Sequence, residues 1–129
     1  MTRTLVSANR PWAAVVGYSR AVRVGNVIEV SATAAADADG QILAKGDVAG
    51  QARAALQTIG EALTEAGGSF EDVVRTRVLL TDITTWEEAG RAHGEVFAQI
   101  RPANITCSVA GFIDPDILVE IEVTAIVDE

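Results

Sequence analysis

The amino-acid sequence predicts one α+β domain, a mixed β-sheet with two helices packed on one of its faces. The first observation behind this prediction is a pair of helical apolar stripes that interleave with strand-like segments along the 129 residues. The second is that strand pairs, interpreted as hairpins, stand at both ends of the chain. Together they give the element order ββ-α-β-α-ββ and a layered architecture over residues 1–129.

The first predicted hairpin covers residues 20–34. Two runs rich in Val and Ile flank the pair Gly25-Asn26, which is typical of a two-residue turn with positive φ. Strict alternation would place the polar residues of the second run on one face of the strand, namely Glu29, Ser31 and Thr33.

The first predicted helix follows Asp47, a residue type suited to the N-cap position. Apolar residues then recur at steps of three or four, and they form one stripe: Val48, Ala52, Leu56, Ile59, Leu63 and Ala66. Gly67-Gly68 ends this helix. Ser69 and Asp72 predict a single capped turn directly after it.

The second half of the chain predicts a strand over 73–82, a helix over 84–100, and two final strands over 104–111 and 118–127. The helix has its own stripe, and Pro102 stops it: Trp86, Ala89, Gly90, His93, Val96, Phe97 and Ile100. We expect Ile121, Val123 and Ala125 to lie on the sheet face without helices, where other subunits would cover them.

Composition excludes several classes of function. The net charge is −8 with only ten Lys and Arg, which disfavours binding to nucleic acid or to an anionic membrane. One cysteine and one histidine make neither an internal disulfide nor a zinc site. No segment has the character of a signal peptide or membrane span, so a soluble cytoplasmic protein is expected.

Two residues, His93 and Cys107, have side chains suited to catalysis, but each also has a simpler structural interpretation. His93 has the side chain of a general base, but its place in the apolar stripe favours a packed or interface histidine. Cys107 has the side chain of a nucleophile, but strand alternation places it with Ile105 and Val109. A small buried hydrophobic residue is the favoured interpretation for Cys107.

Glu120 and Glu122 lie one strand repeat apart in the apolar segment "LVEIEVTAIV". Two carboxylates on one face of such a strand are costly unless that face meets water, a partner charge or a cleft. An ion pair with Arg75 or Arg77 and a cleft carboxylate that activates water are both consistent with the spacing. Tyr18 precedes the first hairpin and has a phenol suited to lining a pocket.

Three segments, "GYSRAVRVGNVIEVS", "DVVRTRVLLTDITTW" and "RPANITCSVAGFIDPDILVEIE", together resemble the RidA/YjgF family over nearly the whole chain. This is the family of 2-iminobutanoate/2-iminopropanoate deaminases, also described as L-PSP endoribonucleases or translation initiation inhibitors. The resemblance implies a chorismate-mutase-like fold and a homotrimer with three clefts between subunits. It further implies hydrolysis of enamine or imine intermediates to a 2-oxo acid and ammonia without a cofactor.

Residue by residue, the resemblance places Tyr18, Ser31 and Glu120 in the cleft, with Glu120 as the glutamate that activates water. Asn104 stands where the family has its carboxylate-binding arginine, and Thr106 stands where many members have a cysteine. An amide lacks the charge and the two-donor fork of a guanidinium. The loss is worth about 1.5–3 kcal/mol, or roughly ten- to a hundredfold in affinity. Arg91 or Arg101 would compensate only from a neighbouring subunit.

Two functions from different classes follow from this departure. The first is an imine or enamine hydrolase of altered range, in which Asn104 and Thr106 contact a substrate without a carboxylate. The second is a trimer that binds a small metabolite, or acts as a chaperone-like scaffold, without turnover. An endoribonuclease or translation inhibitor is third, because the chain is acidic and has no pair of catalytic histidines.

Overall fold

The computed structural model describes residues 2–128, which form one six-stranded sheet with two long helices. The strands are β1 (Arg3–Val6), β2 (Ala21–Val24), β3 (Val27–Ala34), β4 (Val73–Leu80), β5 (Ala103–Ser108) and β6 (Val119–Ile126). The helices are the single turn α1 (Ala13–Val16), then α2 (Val48–Glu65) and α3 (Trp86–Phe97). Short 3₁₀ turns at Phe70–Asp72 and Ile83–Thr85 precede β4 and α3.

Most of the predicted elements are confirmed, and for the expected local reasons. Gly25 has φ 61° in the turn that joins β2 to β3. The Asp47 carboxylate accepts a hydrogen bond from the backbone N–H of Gly50 at the start of α2. All six residues of the predicted α2 stripe are buried. Ser69 and Asp72 form the predicted capping box.

Helices α2 and α3 pack on one face of the sheet, as predicted. The core between the two layers contains the α2 stripe, Ala89, Ala92 and Phe97 of α3, and alternate residues of the sheet. The largest buried sheet side chains are Ile28, Val78, Leu80, Val119, Ile121 and Val123. Because aromatic residues are scarce, this core consists mainly of aliphatic side chains.

The prediction of a C-terminal hairpin is wrong. β6 lies between β3 and β4 and is antiparallel to both, while β5 pairs in parallel with β4 at the edge of the sheet. α3 provides the crossover that a parallel β4–β5 pair requires. The sheet order is therefore β1-β2-β3-β6-β4-β5.

The prediction for the uncovered sheet face is also wrong. Ile121, Val123 and Ala125 are fully buried against the helices. The opposite face holds the other half of β6, including Glu120, Glu122 and Thr124. That face is mixed in character rather than apolar, because strand alternation gives β6 one apolar and one mainly polar side.

Three further details differ from the predictions. β1 and α1 were not predicted, since each has four residues and neither shows a buried periodic pattern. Trp86, expected in the apolar stripe of α3, is 57% exposed because it begins the helix and lies outside the core.

Within residues 2–128, no helix has the length and apolar character needed to cross a membrane.

Candidate functional site

A β-bulge in β3 shapes one end of the sheet. The register between β3 and β6 shifts between Val30 and Thr33, so Thr33 turns to the buried side. The predicted face shared by Glu29, Ser31 and Thr33 is therefore wrong for Thr33. The bulge is held by the Ser31 hydroxyl, which donates to the carbonyl oxygen of Ser19 at 2.7 Å.

Next to the bulge lies a cavity of about 320 Å³, which we call the bulge cavity. Its volume is that of a small-molecule site. Its polar lining comes from Arg10, Tyr18, Arg20, Ser31 and Glu120. The structure thus brings together three residues that the sequence singled out, and it adds two arginines that sequence reasoning missed.

Glu120 is distinguished from Glu122 by its surroundings. Glu122 forms an ion pair with Arg77 at 3.3 Å, as the sequence allowed for one of the two carboxylates. Glu120 has no cation within ion-pair distance among residues 2–128 and lines the cavity instead. Burial raises the pKa of Glu120, with a smaller contribution from the charge of Glu122, while Arg20 acts in the opposite direction.

Tyr18 and Arg20 lie beside each other in the lining of the bulge cavity. The Arg20 guanidinium carbon lies 5.6 Å from the centroid of the Tyr18 ring, within the range of a cation–π contact. Nη1 of Arg20 donates to the carbonyl oxygen of Ala32 at 3.2 Å and to Thr33 Oγ1 at 3.1 Å. These bonds fix the arginine against the bulge. Nothing in the sequence around "GYSRAV" indicates that this arginine is buried, because its hydrogen-bond partners lie on β3, 12 and 13 residues further along the chain.

The remaining candidate residues, His93, Asn104 and Thr106, belong to a second group that Thr76 connects. We call these four residues the edge network. Asn104 Nδ2 donates to Thr76 Oγ1 at 2.9 Å, and Thr106 Oγ1 donates to Asn104 Oδ1 at 3.0 Å. Thr76 Oγ1 lies 2.8 Å from His93 Nε2. The Thr76 hydroxyl has one proton and two lone pairs, so it either donates to Nε2 or accepts from it, according to the tautomer of His93.

His93 is half-buried and packs against the ring of Phe97, with 4.6 Å between the ring centroids. Burial lowers the pKa of His93, which agrees with a neutral imidazole. The favoured prediction of a packed histidine describes this environment. Its polar partner Thr76 was not predicted, because the sequence did not show that β4 and α3 bring the two residues together.

Within one chain the two groups lie on opposite faces of the sheet. Asn104 is aligned with Thr76, whose side chain points to the helices. Glu120 is aligned with Leu79, which points the other way. A single subunit therefore does not bring Asn104 or Thr106 to Glu120.

The other residues considered from the sequence lie outside both groups. Arg91 pairs with Glu87 on the exposed side of α3, and Arg101 lines a separate depression with His93. Cys107 is half-buried on the sheet face without helices, beside the exposed Ile105. The shared face of Cys107 and Ile105 was predicted correctly, but the expected small buried residue is only half-buried in this chain, because no helix covers that side. In the described part of the chain, no three His, Cys, Asp or Glu side chains form a metal-binding cluster.

One mixed sheet with two helices on one side, and a carboxylate cavity at a bulge, defines a protein of the chorismate-mutase-like fold. The chain belongs to the RidA/YjgF family: the family model described as endoribonuclease L-PSP matches residues 7–127. The family and the fold that the sequence resemblance implied are thereby confirmed.

Solved and curated relatives agree with this assignment. A crystal structure of a YjgF/YER057c/UK114 family member from Mycobacterium tuberculosis has a TM-score of 0.88 and 42% identity, covering 98% of this chain and 100% of that one. The 2-iminobutanoate/2-iminopropanoate deaminase of Rattus norvegicus is 35% identical over 96% of this chain and 90% of its own length. The 3-aminoacrylate deaminase RutC of Acinetobacter baylyi is 34% identical over 81% and 82%.

Proposed function

We propose that this protein hydrolyses a small imine or enamine to a carbonyl compound and ammonia, with Glu120 activating the attacking water. The observation that carries the proposal is the contrast between two carboxylates on one strand face. Glu122 forms an ion pair with Arg77, while Glu120 lines the cavity without an ion-pair partner among residues 2–128, and burial raises its pKa. A carboxylate of this kind is suited to general-base catalysis. The names of the two deaminase relatives support the same reaction.

The proposed step balances without a cofactor. The water oxygen bonds to the C=N carbon as Glu120 accepts a proton from it. The π pair of the C=N bond takes a proton on nitrogen, which gives the carbinolamine R₂C(OH)NH₂. The nitrogen then takes a further proton, and the C–N bond breaks as the hydroxyl loses its proton and the C=O bond forms, so that R₂C=NH and H₂O give R₂C=O and NH₃. An enamine enters this sequence after protonation of its carbon. Tyr18 and Ser31 are proposed to shape the cavity in which the C=N carbon meets the water.

The complete cleft is proposed to form between the subunits of a homotrimer. Asn104 and Thr106 lie on the opposite sheet face from Glu120, so they contribute to the same cleft only if a neighbouring chain supplies them. Light scattering should then give three times the monomer mass. A stable monomer would contradict this arrangement.

The activity is tested by ammonia release from 2-iminopropanoate generated in situ, measured above the spontaneous rate. Glu120→Gln should lower kcat by roughly 10²–10⁴-fold, since it removes the proposed general base. Glu122→Gln is the matched control on the same strand face, and it should retain activity within about threefold of the wild type because its carboxylate is paired elsewhere.

The alternative is a trimer that binds a metabolite without turnover. It is favoured only by Asn104, which stands where the family has an arginine. Wild-type protein that binds 2-oxo acids but adds nothing to the spontaneous rate would support this alternative. An equal loss in Glu120→Gln and Glu122→Gln would contradict the assignment of Glu120.

A further inference from the structure

Arg20 is a buried cation without an anionic partner. Its side chain is 4% exposed, and among the described residues no carboxylate lies within 4.0 Å of it. Nη1 is satisfied by Ala32 and Thr33, but Nε is buried and has no hydrogen-bond partner. A buried charge is costly unless it is paired, and buried donors in folded proteins are nearly always satisfied. This guanidinium thus has one unbonded donor and no ion-pair partner among residues 2–128.

A second arginine adds to the positive character of the bulge cavity. Arg10 also lines it, anchored by a 2.7 Å hydrogen bond from Nη2 to the carbonyl oxygen of Ala36. Burial lowers the pKa of Arg20, and the charge of Arg10 acts in the same direction, while Tyr18 and Glu120 oppose it. Glu61 and Glu65 share a neighbouring depression with both arginines, but neither forms an ion pair with them. Two guanidinium groups therefore meet at one cavity of a chain whose net charge is −8.

We propose that Arg20, assisted by Arg10, binds the carboxylate of a small 2-imino or 2-oxo acid in the bulge cavity. The inference rests on the proposed function, because Glu120 lines the same cavity and would face the C=N carbon of the bound acid. A carboxylate in the cavity supplies the negative charge that Arg20 lacks at ion-pair distance, and its two oxygens are suited to accept from guanidinium N–H groups.

If Arg20 binds the carboxylate, Asn104 no longer indicates a neutral substrate. From the sequence, its amide indicated a substrate without a carboxylate. With Arg20 as the carboxylate-binding residue, the substrate class stays acidic, and its carboxylate is held by the loop before β2 rather than by β5. Arg20 is in this view a specificity-determining residue that the chain carries at a position different from that of the family arginine.

Binding of pyruvate, compared with pyruvamide, tests the inference on the full-length wild-type chain. The two probes differ in charge but hardly in size. Titration calorimetry should show pyruvate binding roughly ten- to a hundredfold more tightly, as expected for one charged hydrogen-bonding partner. Equal affinity for the two probes would overturn the proposal without any mutant.

Variants then identify the arginine that binds the carboxylate of pyruvate. Arg20→Gln should weaken pyruvate binding by roughly ten- to a hundredfold and leave pyruvamide binding unchanged. Arg10→Gln should weaken pyruvate binding by a smaller factor, and it keeps the test available if Arg20→Gln fails to fold. Arg23→Gln is the matched control, because Arg23 lies on β2 outside the cavity and bonds to the carbonyl oxygens of Gly25 and Ala66. A folded Arg20→Gln with wild-type affinity for pyruvate would overturn the proposal.

The failure of this inference can be told apart from failure of the proposed function. Pyruvate binding that depends on Arg20, with no ammonia release, would remove the hydrolase and keep the carboxylate site. Ammonia release with equal binding of pyruvate and pyruvamide would do the reverse. Asn104→Arg should not add more than about threefold to pyruvate affinity, since the carboxylate is already bound. A larger gain, without loss in Arg20→Gln, would assign the carboxylate to β5.

Discussion

The bulge cavity and the edge network both contain residues that the sequence singled out, yet they differ in how their polar groups are satisfied. In the edge network, hydrogen bonds connect Thr106 to Asn104, Asn104 to Thr76, and Thr76 to His93. In the bulge cavity, Glu120 has no ion-pair partner in the described chain and Arg20 retains a buried, unbonded Nε. Because buried polar groups in folded proteins are nearly always satisfied, the unsatisfied groups make the bulge cavity, rather than the edge network, the candidate binding site.

The largest effect on stability is expected from breaking the edge network at its centre. Thr76→Val keeps the side-chain shape but leaves Asn104 Nδ2 and His93 Nε2 without their shared partner. The free energy of unfolding should fall by about 1–3 kcal/mol, measured by urea denaturation. Thr124→Val on the exposed side of β6 is the control, and it should cost less than about 0.5 kcal/mol. A loss as small as that of the control would show that the network is not structural.

Removal of the Glu120 carboxylate from the bulge cavity is expected to stabilise the protein rather than to destabilise it. A carboxyl group with a raised pKa stabilises the fold below its ordinary value of 4.5, and this contribution is lost as the pH rises through the raised value. Glu120→Gln should therefore raise Tm at pH 7, and the gain should shrink as the pH falls towards 4.5. Thermal unfolding across this range checks both signs. A lower Tm at pH 7 would mean that the attraction of Arg20 outweighs the burial of Glu120.

The pH dependence of turnover gives a smaller, finer comparison of the groups around Glu120. Because the ionised carboxylate is the proposed base, kcat/KM should rise with pH through a midpoint above 4.5. Glu122→Gln should lower this midpoint, since the charge of Glu122 raises the pKa of Glu120. Titration of the substrate is common to both proteins and cancels in the difference. A midpoint that does not respond to Glu122→Gln would assign the titration to another group.

The smallest effect is expected at His93. Its lowered pKa means that the histidine resists protonation in the folded chain. Stability should accordingly decrease as the pH falls below the ordinary value of 6.5, where the unfolded chain takes up the proton first. Nitrogen NMR of the imidazole at pH 7 should show a neutral ring with a proton on one nitrogen, and the nitrogen that carries it gives the direction of the hydrogen bond with Thr76. A doubly protonated ring at pH 7 would contradict the lowered pKa of His93.

Local sequence signals predicted the parts of the fold that local interactions determine. The α2 helix is the best example, because Asp47 caps it, its stripe faces the core, and Gly67 follows its end. The spacing of Glu120 and Glu122 correctly indicated a shared face, and Arg77 was correctly among the candidate partners of one of them. The family resemblance supplied the fold and the candidate roles of Tyr18, Ser31 and Glu120.

The sequence patterns did not predict the features that depend on long-range pairing of strands. No local signal states that β6 inserts between β3 and β4, so the wrong face of β6 was expected to be uncovered. The bulge after Val30 breaks the period of two, which concealed the burial of Thr33, while the burial of Arg20 depends on contacts with the distant strand β3. The arginines of the cavity were missed because burial, not residue type, is what makes them unusual.

The position of β6 has a consequence for biosynthesis. β6 is the last of the six strands to leave the ribosome, and it occupies the interior of the sheet between β3 and β4. Until it is added, β1–β3 and β4–β5 remain two separate ribbons, each with an open edge exposed to aggregation. Glu120 is carried by this same strand. Closure of the sheet and delivery of the cavity carboxylate are thus a single event in folding, and a nascent chain lacking β6 has neither.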